Sequence, residues 1–201
     1  KRRKGQIMKT ITSIENIHQS GKFGDYQNKN EERLIKVSEV KNLFICQVVK
    51  YKNLKIDITN KNIDGLNLPK ELKTCTNSST RILWIGPDNW LVTSSKKDLL
   101  LEINNNFNLN EFAVTDLSHS KAVLEIEGEL SNEVIKKGSP LNINDLKEGN
   151  CANTVYNGIT ITIDFIKDET KTVRFFALRS FGESLYESLT DACLEYGYIA
   201  K

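Results

Sequence analysis

Apolar positions in this chain come mainly in runs of strand length, and only a few stretches carry helical spacing. Asn42-Leu43-Phe44-Ile45-Cys46-Gln47-Val48-Val49 is a nearly continuous apolar run rich in β-branched residues, which predicts a buried strand. Residues 81–85 and 90–93 flank Gly86-Pro87-Asp88-Asn89, a set of turn residues that predicts a hairpin. Residues 112–116 and 122–127 predict two more strands, the latter with Leu124 and Ile126 opposite Val123, Glu125 and Glu127. Asn157-Gly158 lies between 151–156 and the alternating Ile159-Thr160-Ile161-Thr162-Ile163-Asp164-Phe165. It is the strongest hairpin signal present, because a type I′ turn needs two positive φ angles; the odd positions of the second strand should point inward. A further turn at 168–170 leads to 172–178 and completes a three-stranded meander.

Three helices fit between these strands. Ser95 ahead of Asp98 reads as a capping-box-like start for a helix with Leu99, Leu100 and Ile103. Ser131 reads as the cap of a shorter helix with Val134 and Ile135, which Gly138 stops before Pro140. Ser180-Phe181-Gly182-Glu183 opens the last helix as a capping box, with Phe181, Leu185, Leu189, Ala192 and Cys193 as its apolar stripe and Gly197 beyond its end. Residues 54–68 follow no single period before Pro69, and residues 1–33 follow none either. Residues 1–33 therefore read as an irregular arm, with 9–33 expected to order only on a partner. Strands outnumber helices, and helices follow hairpins rather than alternating with single strands, so the fold class is α+β. A single domain over 34–201 would hold two related small lobes of antiparallel sheet with packed helices, at about 40–106 and 112–197.

Composition narrows the classes of function. A hydrophobic share of 39% suffices for a core, while 28 Lys and Arg against 26 Asp and Glu leave a net charge of only +2. That balance argues against a nucleic-acid or membrane-surface partner, whose footprint is a clustered cationic excess. The one basic cluster is terminal, Lys1-Arg2-Arg3-Lys4, ahead of Met8, which reads as the natural start. Residues 8–14 are too polar for a signal peptide and no stretch is long and apolar enough for a membrane helix, so a cytoplasmic location is expected. Cys46, Cys75, Cys151 and Cys193 form no CxxC pair, and His18 and His119 lack a second ligand at suitable spacing, so no metal site is expected.

Candidate chemistry is sparse. Asp116-Leu117-Ser118-His119 contains the residue types of a hydrolase, but neighbours in an extended chain point to opposite faces; turn-type bonding of Asp116 or Ser118 to backbone amides is the favoured reading. No glycine-rich phosphate loop occurs. Asp164, Asp168 and Glu169 read as solvated surface acids. Trp84 and Trp90 flank a turn and are candidate partner-interface anchors, with core packing as the other reading. Arg174-Phe175-Phe176, with Arg179 near, could stack on RNA, although sheet packing is the plainer reading. From the residues alone the chain is a globular α+β protein with no evident catalytic, cofactor-binding or metal residues.

Residues 82–91, Ile-Leu-Trp-Ile-Gly-Pro-Asp-Asn-Trp-Leu, and 114–120, Val-Thr-Asp-Leu-Ser-His-Ser, resemble the γ subunit of heterotetrameric sarcosine oxidase. Lys137-Gly138-Ser139-Pro140-Leu141, Cys151-Ala152-Asn153-Thr154, Arg179-Ser180-Phe181 and Glu195-Tyr196-Gly197 extend the resemblance over about 18–201, with Ser139 where that family often has cysteine. More distantly, the 116–119 motif with its following strand, Gly128 and helix is similar to the folate-binding domain of aminomethyltransferases such as the glycine cleavage T-protein. The resemblance implies a non-catalytic subunit of a complex that oxidises sarcosine to glycine and passes the one-carbon unit to tetrahydrofolate. It implies direct packing on an α subunit, β and δ subunits in the same assembly, and FAD, FMN, NAD, tetrahydrofolate and zinc carried by the other chains. Interface candidates are Trp84, Trp90 and Arg179. The aminomethyltransferase hairpin carries a pair of acids, whereas the corresponding positions here are Ile161 and Thr162, neither of which can act as a general base. A stand-alone folate-binding protein or an RNA-associated module is the alternative.

Overall fold

The computed structural model describes residues 11–52 and 54–201; the basic residues 1–4 and Met8 lie outside that range. In chain order the elements are β1 (Gly21–Phe23), β2 (Ile35–Glu39), β3 (Phe44–Lys50), β4 (Asn62–Ile63), β5 (Leu66–Asn67), β6 (Thr74–Thr76), β7 (Thr80–Gly86), β8 (Asn89–Ser94), α1 (Leu99–Asn106), β9 (Phe112–Asp116), β10 (Lys121–Glu127), α2 (Ser131–Gly138), β11 (Cys151–Tyr156), β12 (Ile159–Lys167), β13 (Thr172–Leu178), α3 (Gly182–Cys193) and β14 (Tyr198–Ala200). Seven strands form one sheet in the order β1-β14-β2-β10-β13-β12-β11, and five form another in the order β6-β7-β8-β3-β9. Pairing is antiparallel except between β14 and β2.

The alternation of side chains sorts the core into three clusters. One face of the large sheet, with Leu124, Ile161, Ile163 and Phe175, packs under α2 and α3 through Val134, Ile135, Leu185 and Leu189. One face of the small sheet, with Val48, Ile82, Trp90 and Val92, packs under α1 through Leu99 and Ile103. The remaining faces meet each other, Ile45, Leu83 and Leu91 against Val123, Cys151 and Phe176. The layers therefore run helices, sheet, sheet, helix, and both main sheets are covered on two sides. That covering corrects the reading of Asp164 as a solvated acid: its side chain has 0% exposure, because the polar face of β12 is turned toward the small sheet.

The lobes exchange strands. β2 precedes the first lobe but joins the large sheet, where Val37 lies opposite Ile126. β9 was expected to open the second lobe, yet it pairs with β3 in the small sheet, Val114 opposite Val48. The cause is aromatic: Phe107, at the end of α1, meets Phe112 edge to face with ring centroids 4.9 Å apart, which keeps the strand on the first core.

Residues 11–33 dock on this chain itself, contrary to an arm that waits for a partner. Ile14 is 1% exposed, and Ser13 donates to Glu39 Oε1 from its backbone N at 3.1 Å and from its hydroxyl at 2.7 Å. His18 Nδ1 lies 3.0 Å from the Tyr186 hydroxyl, and β1 pairs with β14. Three-residue strands carry no period long enough to be read in advance.

Turn chemistry follows the sequence more closely. Asn157 and Gly158 have φ of 46° and 83°, as a type I′ turn requires. Helix starts do not: α1, α2 and α3 have Asp98, Leu130 and Phe181 at the N-cap position, with no side-chain cap bond. Ser131 is the first residue of α2, and its buried hydroxyl has no partner among the described residues. A 3-10 turn over Arg179–Phe181 leads into α3, which leaves Phe181 45% exposed and outside the apolar stripe. All four cysteines are free; Cys46, Cys151 and Cys193 are buried, in the small-sheet core, the seam between sheets and α3.

Candidate functional site

Trp84 and Trp90 face each other across the β7–β8 hairpin and contribute to one wall of an open groove of about 830 Å³. Trp90 is 2% exposed and donates its indole N–H to Pro69 O at 3.0 Å, so it floors the groove as a core residue. Trp84 is half-buried and presents its accessible part to the groove. Ile58, Leu68 and Pro87 supply the rest of the apolar lining, with Lys70, Lys73, Glu71 and Asp88 at the rim. Pro69 ends the aperiodic stretch 54–68 and brings it back over the hairpin.

Arg179 lies elsewhere, in a cleft of about 280 Å³ where the β2–β3 loop, the corner between β9 and β10, and the start of the 3-10 turn converge. The corner is built by side chains bonding backbone. Asp116 accepts from Ser118 N at 2.8 Å, and Ser118 Oγ accepts from Ile45 N at 3.0 Å. The hydrogen bonds from Ser118 hold the Asp116 carboxyl below the usual carboxylate range. Ser118 is thus committed to joining the corner to β3, and His119 is exposed beside it rather than paired with it as a base. Lys121 is half-buried in the same cleft, and burial alone pushes its ammonium down. Arg179 donates to Ile11 O, which ties residue 11 over the cleft. Nothing in the local sequence distinguishes Lys121 or Glu39 from surface charges; only the convergence of loops reveals them.

Asp164 is held by a guanidinium fork from the other sheet. Arg81 Nε and Nη2 each donate to one Asp164 oxygen at 2.7 Å, and Nη2 donates also to Phe165 O at 3.1 Å. Burial pushes the Asp164 carboxyl up, and the two Arg81 bonds oppose that shift. Asp168 and Glu169 stay at the surface, Asp168 Oδ1 accepting from Glu148 N at 3.0 Å and Glu169 pairing with Lys167 at 3.0 Å. Arg174 forms an ion pair with Glu125 at 2.6 Å, while Phe175 and Phe176 are 0% and 1% exposed. Those rings offer no face to a nucleic-acid base.

The hairpin positions 161 and 162 carry no acid. Ile161 is 2% exposed under the helices, and Thr162 donates to Asn153 Oδ1 at 2.6 Å. The one acid on this strand, Asp164, is neutralised by Arg81. Among the described residues no group of three or more His, Cys, Asp or Glu side chains could hold a metal ion, and no helix is long and apolar enough to cross a membrane.

No family model matches the chain. The γ subunit of sarcosine oxidase from Corynebacterium sp. (strain U-96) is 26% identical over 120 residues, 59% of this chain, and the chain spans only 58% of that relative's length. The solved heterotetrameric sarcosine oxidase from Corynebacterium sp. U-96 contains a chain of the same fold, with a TM-score of 0.72, 22% identity and coverage of 83% of this chain and 87% of that one. The glycine cleavage system aminomethyltransferase T from Bartonella henselae is more distant, with a TM-score of 0.56, 11% identity and coverage of 79% of this chain and 46% of that one. The chain thus resembles the sarcosine oxidase γ subunit and has the α+β fold of the aminomethyltransferase folate-binding domain.

Proposed function

We propose that this chain is the non-catalytic γ subunit of a heterotetrameric sarcosine oxidase, packing directly against the α subunit in a complex with β and δ. The observation that carries the reading is the sequence match to a sarcosine oxidase γ subunit. Two site features support it. The acid pair of the aminomethyltransferase hairpin is replaced by Ile161 and Thr162, and Ser118 and Asp164 are committed to Ile45 N and Arg81, which leaves neither free as a nucleophile or base. In this reading FAD, FMN, NAD, tetrahydrofolate and zinc are held by the other subunits, and the complex works in the cytoplasm. The chain's own contribution is a rigid two-sheet body with an apolar groove at Trp84 as the α-facing surface.

The test is co-expression with α, β and δ subunits, followed by size exclusion and a sarcosine oxidation assay. One-to-one co-elution, with complex or activity lost when this chain is left out, is the expected result. A chain that runs alone and binds tetrahydrofolate would overturn the reading and make it an independent folate protein. Within the complex, Trp84→Ala should weaken assembly by at least tenfold while leaving the free chain folded, because Trp84 is only half-buried.

A further inference from the structure

The cleft that contains Arg179 holds more positive charge than the chain neutralises. Lys41, Lys121, Arg179 and His119 line it, and the acid in its wall is Glu39. Glu39 forms no ion pair with any of them among the described residues: Oε1 accepts the two bonds from Ser13, and Oε2 is sealed from solvent without a donor. Arg179 is directed to Ile11 O, a neutral acceptor. Lys121 is the informative member. It starts β10 opposite Leu178, its side chain is half-buried, and no described carboxylate pairs with it. A desolvated ammonium without a counter-charge is unfavourable in the free chain, and a bound anion is what removes the penalty.

We infer that this cleft is a binding site for a small organic carboxylate, with Lys121 as its principal counter-charge and Arg179 and Lys41 at its sides. Charge calls for an anion, and size limits it to a small one. The cleft, at about 280 Å³, is smaller than the roughly 300–1,000 Å³ of pockets for drug-sized ligands, so it takes a molecule of a few heavy atoms. Lys41, Lys121 and Arg179 against Glu39 leave the cleft at about +2, so a dicarboxylate brings it to neutrality and a monocarboxylate leaves it at about +1. The backbone corner fixed by Asp116 and Ser118 keeps the loop bearing His119 in place without requiring ligand. The inference does not depend on the subunit role proposed above, since it concerns the free chain.

The experiment is a titration of the full chain with acetate, succinate and inorganic phosphate at constant ionic strength, chloride being the control, read by calorimetry and by melting temperature. Saturable binding with a raised melting temperature is expected for at least one carboxylate and not for chloride. Lys121→Met should weaken that binding at least tenfold and should melt at or above the wild type without ligand, because an apolar chain of similar length replaces the desolvated ammonium. If Lys121→Met melts lower, Lys121→Gln is read in its place. Binding that fails for every carboxylate, that is tighter for phosphate than for succinate, that chloride reproduces, or that survives both substitutions would overturn the inference.

Discussion

Arg81 ties the two sheets together through a buried ion pair. Its fork to Asp164 spans the seam, with both charges buried. Removing one partner strands the other, so Arg81→Met should destabilise the chain by about 3–5 kcal/mol, whereas the double change Arg81→Met with Asp164→Leu should recover most of that loss. Urea unfolding of the three proteins checks it. Asp64 shows the opposite electrostatic case. Lys96 first, then Thr80, with Ser79 and Asn77, hold its carboxyl well below the usual range. A depressed carboxyl stabilises the fold above its unfolded value, about 3.9, and the benefit fades as pH falls below that value toward the folded one. Asp64→Asn should therefore flatten the acid-side decline of stability, seen in the urea midpoint from pH 6 down to about 3. Sequence could not reveal the Arg81–Asp164 pair, because an acid at an even position of an alternating strand reads as solvent-facing until a second sheet is known to cover that face. Trp84 and Trp90 show the same limit, since one hairpin places one ring in the core and the other at a groove.

Elements were most legible where one residue type has a unique geometric role. Asn157-Gly158 announced its hairpin through two left-handed positions, and the final helix announced itself through the spacing of Leu185, Leu189 and Cys193. Pairings between distant strands and helix starts within 3-10 turns were illegible, because neither leaves a local pattern. Gly138 and Gly158 separate two reasons for glycine. A Cβ at Gly138 would sit 2.6 Å from the ring of Tyr156, a side chain with 0% exposure whose hydroxyl donates to Val134 O. Gly158 has open space around it but φ of +83°. Gly158→Ala should cost about 1–2 kcal/mol of backbone strain. Gly138→Ala should cost about 1–3 kcal/mol through overpacking, and a Tyr156→Leu background should relieve only the Gly138 penalty. Thermal melts of the singles and doubles decide between them.

At the scale of the whole molecule, strand exchange makes the lobes inseparable. β2 leaves the first lobe's neighbourhood for the large sheet, β9 does the reverse, and the seam contains Leu83, Leu91, Val123 and Phe176. Both tryptophans lie in the small sheet, so their fluorescence reports that sheet alone while far-ultraviolet dichroism reports both. Coincident denaturation curves from the two probes are expected; separated curves would mean that the two sheets unfold independently. The same layering gives the cysteines a second meaning. Burial pushes the thiols of Cys46, Cys151 and Cys193 up to about 12, so near neutral pH they are almost wholly protonated and sheltered from alkylating reagents. Each occupies a different layer, and Cys151 donates to Trp84 O at 3.1 Å in the seam itself. Site-resolved alkylation rates therefore time the opening of each layer from within the unmodified chain, with half-buried Cys75 marking the faster local fluctuations at the edge.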